Sequence, residues 1–178
     1  MSGWMNAVGR LAQRWQSWAL VIAICVALEA GAVYYQEALM YFPCELCVYT
    51  RVWIAAIALL ALLGLLVRKR RWPTRAVLIG EIALCLGLAG VVWKLLALDY
   101  GFAEAGACNL YAQFPSWAPL DEWLPVLFRV QATCAETPEV LFGLSMGDGL
   151  AAITMAFLAA FGAGLIGSFG GGRANTAT

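Results

Sequence analysis

Residues 43 to 71 read PCELCVYTRVWIAAIALLALLGLLVRKRR. From Val48 to Val67 the one charged residue is Arg51, and the run stops in Arg68, Lys69, Arg70 and Arg71. A bilayer's hydrocarbon core is about 30 Å thick and takes roughly 20 helical residues to cross. The stretch therefore predicts a membrane-spanning helix, opened by a C-x-x-C and stopped by a basic cluster. Three other stretches predict spans on the same grounds: Trp18 to Tyr35, Ala76 to Leu98 and Gly149 to Phe169. Of the 178 residues, 63% are hydrophobic and 12% charged, whereas a soluble domain runs near half and a quarter. The expectation is an all-α membrane protein: one four-helix transmembrane domain over residues 1–169, then a flexible tail, 170–178. Glu29 lies inside the first span and no convincing A-x-A-like site follows, so that span reads as retained and not as a removable signal peptide.

The charges orient the bundle. Arg10 and Arg14 precede the first span, Arg68, Lys69, Arg70, Arg71 and Arg75 follow the second, and Arg173 follows the last. The other two connections, 36–47 and 99–148, hold Arg129 as their only Lys or Arg. The positive-inside rule then places both termini in the cytoplasm and the two other loops outside. With 11 basic and 11 acidic residues the net charge is zero, so no general basic field attracts nucleic acid. Within the long loop, Phe114 to Phe128 spaces Trp117, Leu120, Trp123, Leu124, Leu127 and Phe128 against Asp121 and Glu122, which predicts a short helix lying on the outer membrane surface.

The same orientation sorts the six cysteines. Cys44 and Cys47 fall in the first outward loop and Cys108 and Cys134 in the second, in a compartment where disulfides persist. Cys25 and Cys85 lie within spans and read as packing residues. A cysteine at a helix N-terminus has its thiolate stabilised by free backbone N–H groups, and Arg51, at i+4 from Cys47, shares its face. Cys47 is thus the candidate reactive thiolate. An arginine at the hydrocarbon boundary is expensive to place without a partner, so Arg51 reads as a ligand for an anion or carbonyl, or else as a side chain reaching lipid phosphate.

No metal site is expected. Histidine is absent, the second cysteine pair has the wrong spacing for zinc, and Val48 stands where haem attachment needs a histidine. A bridge between Cys108 and Cys134 would close a loop of about 25 residues and stabilise by roughly 3 kcal/mol. A bridge between Cys44 and Cys47 would restrain almost nothing, which suits exchange better than stapling. Two outward pairs, one at the bilayer edge beside an arginine, suggest a relay whose terminal acceptor is a lipid-soluble quinone, with Arg51 hydrogen-bonding a quinone oxygen. No dinucleotide fingerprint, P-loop or nucleophile elbow competes.

The run Pro43 to Arg51, the four spans, Cys108, the stretch Phe114 to Pro125 (FPSWAPLDEWLP) and Cys134-Ala135-Glu136 together resemble the bacterial disulfide bond formation protein B family over about Trp15 to Phe169. The resemblance implies an inner-membrane thiol:quinone oxidoreductase that reoxidises a periplasmic thioredoxin-fold oxidase and reduces ubiquinone or menaquinone. By position, Cys108 resembles the cysteine that the partner's thiolate attacks and Cys134 its disulfide mate. Cys44 would exchange with that pair, Cys47 would face the quinone and Arg51 would associate with it. The family commonly has polar quinone-side residues near the outer end of the third span; here Leu95 and Leu98 stand there, with Lys94 and Asp99 the polar neighbours.

Three charged positions are less specific. Glu29 reads as a proton path or, better, as a group hydrogen-bonded to a neighbouring helix; Lys94 as a side chain that snorkels to the headgroups or else touches quinone; Glu81 as a partner of the nearby basic residues. The rival functions are a vitamin K type reductase, whose C-x-x-C belongs to a late span, a disulfide-stapled scaffold without redox turnover, and a transporter, for which no inverted repeat is visible.

Overall fold

The computed structural model describes residues 14–102, 111–132, 139–141 and 144–170. Four helices are long and apolar enough to cross a membrane: α1 (Trp15–Ala38), α2 (Glu45–Val67), α3 (Arg71–Asp99) and, after four short elements, α6 (Met146–Gly170). Each begins about three to five residues before the expected span or at its edge, because a helix continues past the hydrocarbon until a cap or turn stops it. Between α3 and α6 lie α4 (Leu120–Trp123), α5 (Pro125–Phe128) and an antiparallel pair, β1 (Glu139–Leu141) with β2 (Leu144–Ser145). The four-helix bundle expected from the sequence is present.

Heptad-like seams build it. Along α3 the buried positions are Thr74, Leu78, Glu81, Cys85, Leu88, Val92 and Leu95, alternating steps of four and three that keep one face toward the neighbours. On α6 Leu150, Thr154, Phe157 and Phe161 do the same. The helices pack in chain order, α1 on α2, α2 on α3 and α3 on α6. The outward faces carry Leu59, Leu62, Leu63, Leu66, Ile79, Leu86 and Trp93, all exposed; so broad an apolar surface needs lipid around it. Close approach relies on glycine: a Cβ on Gly64 would collide with the Trp18 indole and one on Gly87 with that of Trp53, the small-residue contact that membrane helices use.

The turns explain the shifted boundaries. The 68–75 connection shrinks to three residues because Pro73, in the first turn of α3, needs no N–H partner there, and the Thr74 hydroxyl donates to the Arg70 carbonyl at 2.7 Å. Helix α3 ends in a Schellman motif. Phe102 N–H donates to Ala97 O and Gly101 N–H to Leu98 O, with Gly101 at φ 71°. Helix α6 opens with a capping box in which Ser145 Oγ accepts from Asp148 N–H and Asp148 Oδ2 from Ser145 N–H. At the other end of α6, Arg75 Nη2 donates to Ser168 O at 2.6 Å, and its guanidinium lies 4.5 Å from the Phe169 ring centroid.

Two expectations need correcting. The single surface helix over 114–128 is instead two one-turn helices, because Pro125 disfavours helical geometry at Leu124, which sits at φ −136°, ψ 68°. Glu81 does not pair with basic residues among the described residues: it faces the bundle interior, 0% exposed, and neither carboxyl oxygen has a hydrogen-bond partner there.

Candidate active site at the mouth of the second helix

Cys44 is the N-cap of α2 and Cys47 its third residue. An N-cap side chain accepts the N–H two or three residues on, and here Cys44 Sγ accepts from Cys47 N–H at 3.3 Å. The helix-end N–H of Cys47 therefore serves Cys44. The two sulfurs lie 2.6 Å apart, so a bond between them requires little backbone movement. The hydrogen bond to Cys47, and then burial, push the Cys44 thiol well above its ordinary range, and it keeps its proton. Cys44 is 5% exposed and Cys47 half-buried.

Arg51, one turn deeper, points inward and not to lipid. It is 6% exposed. Its Nη1 donates to Gln36 Oε1 and to Leu127 O, both at 3.0 Å, and its Nη2 to Ala32 O at 3.2 Å. A guanidinium has five N–H donors; three are used here. Gln36 in turn donates through Nε2 to Val126 O at 3.2 Å. One buried arginine and one buried glutamine thus join α1, α2 and α5. Gln36 escaped the sequence reading, because a lone glutamine in the last turn of an apolar span gives no periodic or motif signal.

The long loop is fastened to the C-x-x-C at two places. Gln131 N–H and Ala132 N–H both donate to Pro43 O, at 3.0 and 3.3 Å. Gln113 N–H donates to the Tyr49 hydroxyl at 3.0 Å, Tyr49 donates to Glu45 Oε1 at 3.1 Å, and Phe114 packs edge-on against Tyr49. Cys108 and Cys134 lie outside the described residues. In sequence, the bonded residues Gln113 and Ala132 lie five positions after Cys108 and two before Cys134.

Beside the sulfurs a cleft opens between α1, the start of α2 and the start of α6. Glu29, Ala32, Tyr35, Tyr41, Cys44, Cys47, Arg51, Met146 and Leu150 line it. Leu95 and Leu98, the leucines at the outer end of α3, do not line it, nor does exposed Lys94. Glu29 accepts no hydrogen bond from a neighbouring helix, contrary to expectation: both oxygens are enclosed and without a partner among the described residues. The reason is its position, on the cleft wall where no donor reaches it. Among the described residues no cluster of acidic residues and cysteines fits a metal ion.

The arrangement can exchange disulfides at a protected dithiol and offer a charged donor to a bound carbonyl. Comparison with known proteins agrees in kind. The sequence pattern of the family described as Disulfide bond formation protein DsbB matches residues 13–164. A Disulfide bond formation protein B of Aeromonas salmonicida is 35% identical over 92% of this chain and 95% of its own length. That of Photobacterium profundum is 32% identical over 90% and 91%, and that of Pasteurella multocida 34% over 76% of each. With four helices able to span a membrane and a dithiol at one helix mouth, the chain belongs to the disulfide bond formation protein B family and is a membrane-embedded, disulfide-generating oxidoreductase.

Proposed function

We propose that this protein reoxidises a thioredoxin-fold thiol oxidase of the periplasm and delivers the electrons through Cys108/Cys134 and then Cys44/Cys47 to a membrane quinone, ubiquinone or menaquinone. The observation that carries the reading is the double fastening of the long loop to Pro43 and Tyr49, which flank the C-x-x-C. An exchange relay needs its two pairs within reach of each other, and a stapled scaffold does not. The basic residues around α2 and α3 favour cytoplasmic termini and periplasmic loops, with residues 1–169 acting as one four-span unit and 170–178 as a tail.

The reduced partner's thiolate attacks Cys108, displacing Cys134. Cys134 then attacks Cys44, releasing Cys47 as a thiolate and, after resolution, reforming the loop disulfide. Buried, protonated Cys44 makes Cys47 the better leaving group and places the charge at the cleft. The chemistry of the cleft suits a quinone carbonyl: it is mostly apolar, opens beside Cys47, and holds the cation of Arg51. When bound there, a quinone would supply a two-electron acceptor. Below it, an apolar groove of about 530 Å³ runs between α1 and α6, lined by Trp18, Val21, Ile24, Phe157 and Phe161, and suits an isoprenoid tail.

The test is quinone absorbance after mixing the purified protein, ubiquinone or menaquinone and a reduced thioredoxin-fold periplasmic oxidase, beside Cys47→Ala. Rapid reduction by the wild type alone is the expected result. No reduction by folded wild-type protein, with loop disulfides that resist a glutathione-level potential, would select the stapled scaffold.

A further inference from the structure

We propose that Glu29 is the acid that delivers the second proton of quinone reduction from within the cleft; this rests on the quinone reading above. Glu29 lines the same cleft as both sulfurs and Arg51, with both its oxygens enclosed and unbonded. Of the cleft's other polar groups, Arg51 and Thr50 are committed elsewhere and Tyr35 and Tyr41 offer phenol hydroxyls; Glu29 is the carboxyl. Arg51 holds Gln36, Ala32 and Leu127, and the Thr50 hydroxyl donates to Cys47 O at 2.8 Å. Arg51, Cys44 and Cys47 from α2 and its cap, Tyr41 from the connecting turn and Tyr35 from its own helix line the cleft with Glu29, and Arg51 and Cys25 lie close enough to interact with it electrostatically. Helix α6 contributes only Met146 and Leu150 to the lining. A carboxyl without a donor among the described residues, in the same mostly apolar cleft as the dithiol, has no hydrogen-bonding role in the packing to explain it.

Proton and electron balance assign it a task. Forming the Cys44–Cys47 bond from a thiol and a thiolate releases two electrons and one proton, the proton from Cys44. Conversion of a quinone to its hydroquinone takes two electrons and two protons. Glu29 in its acid form supplies the missing proton, so the negative charge that leaves Cys47 ends on Glu29, still beside Arg51, and no net charge is created inside the cleft. Water at the cleft mouth returns the proton before the next turnover.

The experiment uses the full chain in lipid vesicles with short-tailed ubiquinone. The readouts are the infrared difference spectrum on reduction, quinone affinity and the pH profile of the rate. The wild type should show loss of a protonated-carboxyl band that is missing in Glu29→Gln. That variant should bind ubiquinone within about threefold of wild type yet reduce it about a hundredfold more slowly above neutral pH. The gap should narrow as pH falls, and Glu29→Asp should recover most of the rate. A Glu29→Gln variant with wild-type rate and pH profile, a band that persists in it, or equal losses of affinity in the Gln and Asp variants would each overturn the assignment. If Glu29→Gln does not fold, the wild-type band and the Glu29→Asp profile still decide. A wild type that reduces no quinone overturns the reading beneath; a wild type that does so without a carboxyl signal overturns this inference alone.

Discussion

Two groups in this molecule are built from the same residue types, two cysteines and a glutamate. Cys44, Cys47 and Glu29 stand at the mouth of α2. Cys25, Cys85 and Glu81 stand inside the bundle, where Glu81 lies close enough to act electrostatically on both thiols. At the mouth the sulfurs meet a helix end, a buried arginine, two loop anchors and an open cleft. In the interior Cys25 is 1% exposed and Cys85 and Glu81 0%, with none of the three lining the cleft. On the proposed relay the mouth pair is the redox-active one, and what separates it from the interior pair is access and fixed donors, not residue type. The largest expected consequence is on turnover. Cys47→Ala should lower partner-driven quinone reduction by about three orders of magnitude or more, since members of one relay fail as a unit. The double change Cys25→Ala with Cys85→Ala should leave the rate within about twofold, because small core truncations act on stability. Stopped-flow quinone absorbance separates the two; a large loss in the interior variant would mean that the inner cysteines exchange as well.

The mouth also differs in how it is held. Arg51 is a structural clasp and a candidate quinone donor at once, since its fork reaches α1, α5 and the cleft together. Lysine has a point charge on a flexible stem and cannot reproduce three directed bonds. Arg51→Lys is expected to raise the quinone KM about tenfold and to lower stability. Gln36→Leu keeps the arginine but removes its acceptor and the bond to Val126; leaving buried donors unpaired typically costs about 1–3 kcal/mol. Its signature is a lower melting temperature and slower partner oxidation, with a quinone KM near wild type. A KM shift as large as that of Arg51→Lys would place Gln36 at the quinone too.

How much of this was legible before the fold follows from what each feature depends on. The four spans and the C-x-x-C at a helix mouth depend on local composition and spacing, and residues 43 to 71 alone announce the C-x-x-C and the span it opens. Arg51 was legible as an anomaly, a cation at the hydrocarbon edge, but its partners were not: two are backbone carbonyls of distant segments, Ala32 and Leu127, which carry no side-chain signal. The same holds for Pro43 O, whose role as the anchor of Gln131 and Ala132 rests on a backbone atom. The capping role of Cys44 was within reach, since it stands just before the first helical turn with a side chain able to accept an N–H. Glu29 and Glu81 looked alike in sequence, each a carboxyl in an apolar run. Only rotation about the helix axis distinguishes a cleft wall from a sealed core, and neither run encodes its neighbour's position.

That rotation sets the smallest effect. Glu81 has no hydrogen-bond partner and no cleft, so its burial is a net cost that the surrounding apolar packing offsets. Replacing such a group by an apolar one of similar volume removes the desolvation penalty and keeps the packing. Glu81→Leu is therefore expected to stabilise by about 1–3 kcal/mol and to leave quinone reduction unchanged, as read from thermal melting in detergent beside turnover. The same change at Glu29 should also relieve an unpartnered buried carboxyl but should lower turnover, because on the inference above that carboxyl, which lines the cleft with the two sulfurs, delivers a proton. A Glu81→Leu protein that melts lower than the wild type, or turns over more slowly, would mean that the interior carboxyl has a partner or a path of its own, and that the two groups differ less than their surroundings imply.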